Sequence, residues 1–184
     1  PQEREEMEKQ VAELLRTGLL EPSSSPFASC ALVAPKYDEH HKIKGWRMAI
    51  DYRLLNKATV RHQGPLPRIE DLLDTVGGAS YFSALDMTSG FWQLRLTDED
   101  KPKTAWRSPS GLYQWRVLPF GLCNAPAVFH NAVEELFKVP YEPSGPNLVT
   151  AKMALGSFVL VYLDDVLVFS KTAEEHLAHL DWVF

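Results

Sequence analysis

The sequence predicts an α+β fold. Two observations point there. The clearest strand signals come as neighbouring pairs joined by polar or Gly-containing stretches, which is the hairpin pattern. The helical periodicities fall between these pairs irregularly and not in a repeating strand–helix–strand order. A third observation bears on function. The run FVLVYLDDVLVFS, residues 158–170, places Asp164 and Asp165 between two short apolar strands.

The elements follow in chain order. Residues 2–16 predict an acidic amphipathic helix with Met7, Val11, Leu14 and Leu15 on one face, stopped by Gly18. Pro22–Pro26 is a loop. Ser29–Pro35 and Trp46–Tyr52 predict a hairpin joined by the polar stretch Lys36–Gly45. Gly64–Pro67 is a breaker cluster. Ile69–Val76 predicts a short helix that buries Leu72, Leu73 and Val76, ended by Gly77-Gly78. Ser80–Met87 predicts a strand, resumed at Phe91–Leu96. Thr104–Arg107 and Tyr113–Val117 predict another hairpin. A helix starts near Asn124-Ala125-Pro126, with Phe129, Val133, Leu136 and Phe137 on its apolar face. Pro and Gly break the pattern over 138–157. Phe158–Leu163 and Val166–Phe169 are short strands, and His176–Phe184 begins a final helix.

The 184 residues suit one domain or two small lobes, and 45% hydrophobic content is ordinary for a folded chain. Pro1 and an unfinished helical pattern at Phe184 suggest a segment of something longer. There is no apolar run long enough to cross a bilayer, and no membrane partner is expected. Cys30 and Cys123 carry no framework spacing, which favours a reducing, intracellular setting. The net charge of −5 argues mildly against nucleic acid. The charge is uneven, however. Residues 36–68 hold eight basic side chains against three acidic ones. A basic face and an ordinary solvated surface are equally good readings of that stretch.

Asp164-Asp165 alone reads as a turn. A tight hairpin prefers Asp-Gly or Asn-Gly, and this one has no Gly. Asp86 ends the apolar strand YFSALD, and pairing of the two strands would bring it beside Asp164 and Asp165. Three such carboxylates repel one another unless a cation sits between them. Oxygen-only donors suit Mg²⁺, and two such ions serve in-line nucleotidyl transfer. There is no P-loop and no G-x-G-x-x-G motif. Any nucleotide phosphates would fall to metal and to the basic hairpin, with Arg47 the best-placed cation. His176 and His179 lack partners at metal-binding spacing and read as surface or packing residues.

Seven motifs then occur in order. They are GLLEPSSSPFAS (18–29), GWRMAIDYRLLNKAT (45–59), PLPRIEDLLD (65–74), YFSALDMTSGFWQL (81–94), KTAW (103–106), LPFGLCNAPAVF (118–129) and YLDD (162–165). Together they resemble the fingers and palm of a reverse transcriptase from the pol polyprotein of a gypsy-type LTR retrotransposon. The resemblance implies a right-hand polymerase fold with an antiparallel palm sheet packed on helices and the thumb absent. Fingers would comprise residues 1–60 and 94–124, and palm 61–93 and 125–184. It implies RNA-directed DNA polymerase activity on an RNA or DNA template with primer, using dNTPs.

The resemblance also implies residue roles. Asp86, Asp164 and Asp165 would form the catalytic triad and, with the Met87 carbonyl, hold two Mg²⁺ ions, for which Mn²⁺ can substitute. Arg47, Ser89, Gly90, Phe91 and Phe120 would bind the incoming nucleotide, with Phe91 excluding a ribose 2′-hydroxyl. Asp51, Arg53, Gly121 and Tyr162 would lie along template and primer. Lys36, Lys42 and Lys44 compete as a companion cation. Phe120, where retroviral enzymes usually carry Gln, points to the retrotransposon branch. Implied partners are the thumb, ribonuclease H, protease and integrase of the same polyprotein. The implied location is cytoplasmic, in a virus-like particle, with the nucleus as an alternative.

Residues 138–157 depart from the family pattern. An inserted loop, a decayed element and translated intron sequence all fit. Fingers and palm without a thumb are expected to give little processive synthesis. Three other readings remain open: a plant pararetroviral enzyme, a non-catalytic remnant, and a metal-dependent nuclease.

Overall fold

The computed structural model describes residues 2–62, 68–141 and 152–184. The breaker cluster and half of the atypical segment lie outside them. The chain divides into two compact units, one formed by Pro1–Arg61 with Phe91–Ala125, the other by His62–Gly90 with Pro126–Phe184. The fold is mixed α+β.

In the first unit, helix α1 (Gln2–Arg16) covers a five-stranded sheet of β1 (Leu20–Pro22), β2 (Ser29–Tyr37), β3 (Ile43–Asp51), β5 (Trp106–Ser108) and β6 (Gly111–Trp115). The order is β1-β6-β5-β2-β3, with β2 and β5 parallel and the other pairs antiparallel. Val11 and Leu14 of α1 are buried against Leu20, Tyr52, Trp106, Trp115 and Val117. Each large side chain so buried contributes roughly 1.5–3 kcal/mol. The β2–β3 hairpin runs further than the sequence predicted. Its strands pass through Lys36-Tyr37 and Ile43–Gly45, with an irregularity at Lys36/Tyr37. The turn is tied by Asp38, whose Oδ1 accepts from the His40 and Lys42 amides at 2.8 and 2.9 Å.

Helix α2 (Arg53–Ala58) was not foreseen. Asn56 joins it to the segment after β6, donating to Gly121 O at 2.8 Å and accepting from Cys123 N at 2.9 Å. The predicted strand at Phe91–Leu96 is instead a 3₁₀ turn, Gly90–Gln93, followed by a single bridge from Arg95 to Val117. The aromatic residues there favour burial, and the chain satisfies that preference without extending.

In the second unit, β4 (Tyr81–Asp86), β10 (Asp165–Ser170) and β9 (Val159–Tyr162) form an antiparallel sheet in the order β4-β10-β9. Val159, Val161, Val166 and Val168 are buried. Ser83 and Ser170 hydrogen-bond to His176 of α5 (Ala173–Val183), which places that helix on the same face. Thr172 caps α5 by accepting from Glu175 N. Helix α4 (Ala125–Phe137) buries Phe129 and Val133, while Leu136 remains 64% exposed, against expectation. Helix α3 (Ile69–Thr75) buries none of its residues fully, and Leu73 is 62% exposed rather than buried. Strands β7 (Pro140–Tyr141) and β8 (Lys152–Met153) pair across the atypical segment.

Candidate active site

The sheet of the second unit sets the acids by register. Asp86 and Asp165 are directly opposite one another in the β4–β10 pair, and Asp165 also pairs with Tyr162 in β9. Side chains alternate faces along a strand, and register partners share a face. Asp165 and Asp86 therefore lie on the face opposite Val166, Val168 and Leu85. Both acids are exposed at one end of that face, while Leu160 and Phe169 further along it are buried. The two-residue connection between β9 and β10 is Leu163-Asp164. Asp165 thus belongs to the strand and not to the turn. Asp164 occupies the tip, also exposed. Its carbonyl accepts from Met87 N at 3.4 Å, which ties the turn to the end of β4.

Leu163 has φ +58°, a left-handed value at the first turn position. That position normally goes to Gly in a hairpin of this kind. A branched side chain held there carries roughly 1–2 kcal/mol of strain. Strain of this sort persists where surrounding structure over-determines the backbone, here pairing on both sides of the turn.

Exposed, opposed carboxylates are hard oxygen donors, the chemistry that Mg²⁺ takes. The backbone fits such an ion by placing Asp86 and Asp165 side by side. Among the described residues, however, no three His, Cys, Asp or Glu side chains converge closely enough to hold a metal. The expected triad is therefore present as a backbone arrangement, not as a closed ligand set.

The remaining predicted residues separate between the units. In the second, the Met87 carbonyl accepts from Gly90 N at 3.1 Å, and Ser89 is exposed with φ +51°. Gly90 is buried, and a Cβ there would stand 2.6 Å from Phe129 Cζ. Its packing against α4 is a constraint that sequence reasoning missed.

In the first unit, Arg47 lies opposite Ala34 and is exposed. With Lys36 and Phe120 it borders a cavity of about 680 Å³ between α1 and β3. Phe91 packs on Phe120 with ring centroids 4.9 Å apart. Phe120 is 46% exposed. Gly121, at φ +96°, turns the chain directly after it. Asp51 and Arg53 face each other, with Arg53 Nε and Nη2 donating to the two Asp51 oxygens at 2.8 and 2.6 Å. These bonds pull the Asp51 carboxyl down to about 2. Trp92 and Trp115, which sequence reasoning did not single out, stack at 5.9 Å beside Phe120. Their signal was the aromatic pair Phe91-Trp92, read as strand.

The comparisons with known proteins agree with this architecture. A family profile described as "Reverse transcriptase (RNA-dependent DNA polymerase)" matches residues 34–184. The chain is 39% identical over 180 residues to the enzymatic polyprotein of cauliflower mosaic virus (strain Strasbourg), covering 98% of this chain and 24% of that protein. It is 36% identical over 177 residues to a retrovirus-related Pol polyprotein from transposon opus of Drosophila melanogaster, covering 96% and 16% respectively. The foamy viral protease–reverse transcriptase in complex with an RNA/DNA hybrid superposes with a TM-score of 0.76 at 27% identity, covering 98% of this chain and 21% of the other. The chain thus spans a quarter or less of these relatives. The profile match over most of its length and the identity along nearly all of it establish that the chain belongs to the reverse transcriptase (RNA-dependent DNA polymerase) family.

Proposed function

We propose that this chain is the fingers and palm of an RNA-directed DNA polymerase that works within a larger Pol polyprotein. The observation that carries the reading is the direct opposition of Asp86 and Asp165 at exposed positions of one sheet, with Asp164 adjacent at the turn. In this reading the three acids, with the Met87 carbonyl, hold divalent cations. Such ions lower the pKa of an attacking hydroxyl and neutralise phosphate charge. Arg47 with Lys36 binds the phosphates of a dNTP. Phe91 and Phe120 pack against its sugar and base, and Ser89 lies along it. Asp51, Arg53, Gly121 and Tyr162 lie along template and primer. The host element is a gypsy-type LTR retrotransposon, and the protein acts in the cytoplasm within a virus-like particle. The identity with cauliflower mosaic virus, slightly above that with transposon opus, favours a pararetroviral enzyme as the second reading.

The test is Mg²⁺-dependent primer extension on an RNA template by the full-length natural protein, beside its Asp165→Asn variant. Extension by the wild type and its loss in the variant are expected. Extension that survives in the variant overturns the site. A folded wild type that extends nothing points to a remnant.

A further inference from the structure

The first unit contains a row of aromatic rings that runs from its core to its surface. Trp115 is buried in the core and stacks on Trp92 at 5.9 Å with an interplanar angle of 29°. Trp92 meets Phe120 edge-on at 6.0 Å and 67°. Phe120 meets Phe91 at 4.9 Å. Such separations and tilts lie in the range where aromatic pairs attract beyond simple burial. The outermost rings are the two to which nucleotide contact is assigned above, and the inner ones have no assigned role.

The support is one-sided. Phe120, Trp92 and Trp115 all border the 680 Å³ cavity between α1 and β3, so a filled core does not back them on that side. Phe120 follows Pro119 and precedes Gly121, whose φ of +96° favours glycine, so its backbone is set by its neighbours. Its ring packs between two others, Trp92 in edge-to-face contact and Phe91 at 4.9 Å. Trp92 Nε1 is buried with no hydrogen-bond partner among the described residues, so ring packing and not a polar bond fixes this indole.

We propose that Trp92 is a specificity-determining positioning residue: acting through Phe120, it holds the Phe91 ring where it rejects a ribonucleotide. The proposal rests on the polymerase reading above and goes further, because it puts part of the sugar discrimination in a residue that touches no substrate. Removing the indole lets Phe120 tilt toward the cavity and Phe91 follow it. A wall that yields loses its power to reject an extra hydroxyl. It still admits the smaller deoxyribose.

The experiment compares kcat/KM for dNTP and rNTP incorporation by the full-length protein. The variants are Phe91→Val, Trp92→Leu and Trp92→Phe. Phe91→Val tests the underlying reading. A rise in relative rNTP use of about tenfold or more is expected when one shape contact with the substrate is removed. Trp92→Leu is expected to lower the dNTP/rNTP ratio about tenfold, chiefly by raising rNTP use. Trp92→Phe restores an aromatic edge and is expected to keep the ratio within about threefold of wild type. If Phe91→Val relaxes selection but Trp92→Leu lowers both substrates in parallel, or leaves the ratio unchanged, the proposal is overturned and the polymerase reading stands. If Phe91→Val changes nothing, the gate assignment fails and the proposal with it. Should Trp92→Leu not fold, Trp92→Met, which also removes the ring edge, takes its place with the same expected loss of discrimination, and an unchanged ratio there is equally decisive.

Discussion

The ring of Phe129 occupies the space where any side chain on Gly90 would go. A Cβ added to Gly90 would stand 2.6 Å from Cζ and 3.0 Å from Cε1 of that ring. Phe129 is fully buried and cannot swing aside freely. Gly90→Ala is therefore expected to destabilise the protein by about 1–3 kcal/mol through overpacking. Chemical denaturation measures this. The double variant with Phe129→Leu should cost less than the sum of the two single changes, because the pair shares one space.

Tyr52 supplies a second test in the other unit. Its hydroxyl donates to Thr104 O at 2.8 Å from a site that is 2% exposed. Burial pushes its pKa well above the ordinary phenol value, so it stays protonated as a donor. Tyr52→Phe leaves the carbonyl without this bond. A loss of about 1–3 kcal/mol is expected, read as a lower midpoint in urea at unchanged slope.

Asp51 is expected to titrate near 2 by carboxyl-detected NMR. Its pKa is depressed in the fold, so the stabilisation is complete above the unfolded value near 4 and is lost as pH falls through about 2. In Arg53→Gln the midpoint should move up toward the ordinary carboxylate range. An unmoved midpoint would mean that the two hydrogen bonds do not persist in solution.

His179 makes the opposite end of the pH range informative. Burial lowers its pKa below the usual 6.5, a nearby His176 adds to that, and Glu175 opposes it. The fold therefore favours the neutral ring. Its contribution is whole above about pH 6.5 and is lost as pH falls through the lower folded value. The ring stacks on Phe158 at 3.9 Å and its Nδ1 bonds Ser170 Oγ at 2.7 Å. Thermal unfolding should show Tm dropping as pH falls below about 6.5, with a shallower drop in His179→Gln.

Much of this was legible because strong periodicity coincides with burial. Helix α1 reads from Val11 and Leu14, and β9 and β10 read from two short Val-rich runs on either side of the acid pair. Asp86 could be brought beside the Asp164-Asp165 pair in advance because a strand ending in an acid can lie next to a hairpin carrying two, but the expected strand began only at Val166, so the direct Asp86–Asp165 register was not foreseen. Long-range placement was not legible. Leu73 and Leu136 follow helical periodicity yet stay exposed, because periodicity gives a face and says nothing of what covers it. The parallel contact of β2 with β5 joins segments far apart in the chain, which no local pattern encodes. The Phe91-Trp92 pair misled for a related reason. Aromatic residues favour strands only insofar as strands bury them. The convergence of three carboxylates is a matter of side-chain rotamers, which strand register does not fix.

Strand β4, which carries Asp86, forms one border of its sheet, and beyond β10 it pairs with no other strand among the described residues. Its outward amides and carbonyls are a template for a further strand, and Tyr81 and Phe82 on it are 44% and 51% exposed. The segment that carries Asp86, an acid to which metal binding is assigned in the proposal, is thus also a sheet edge open to self-association. At high protein concentration, molecules that zip together along this border would lose soluble material and working sites in the same event.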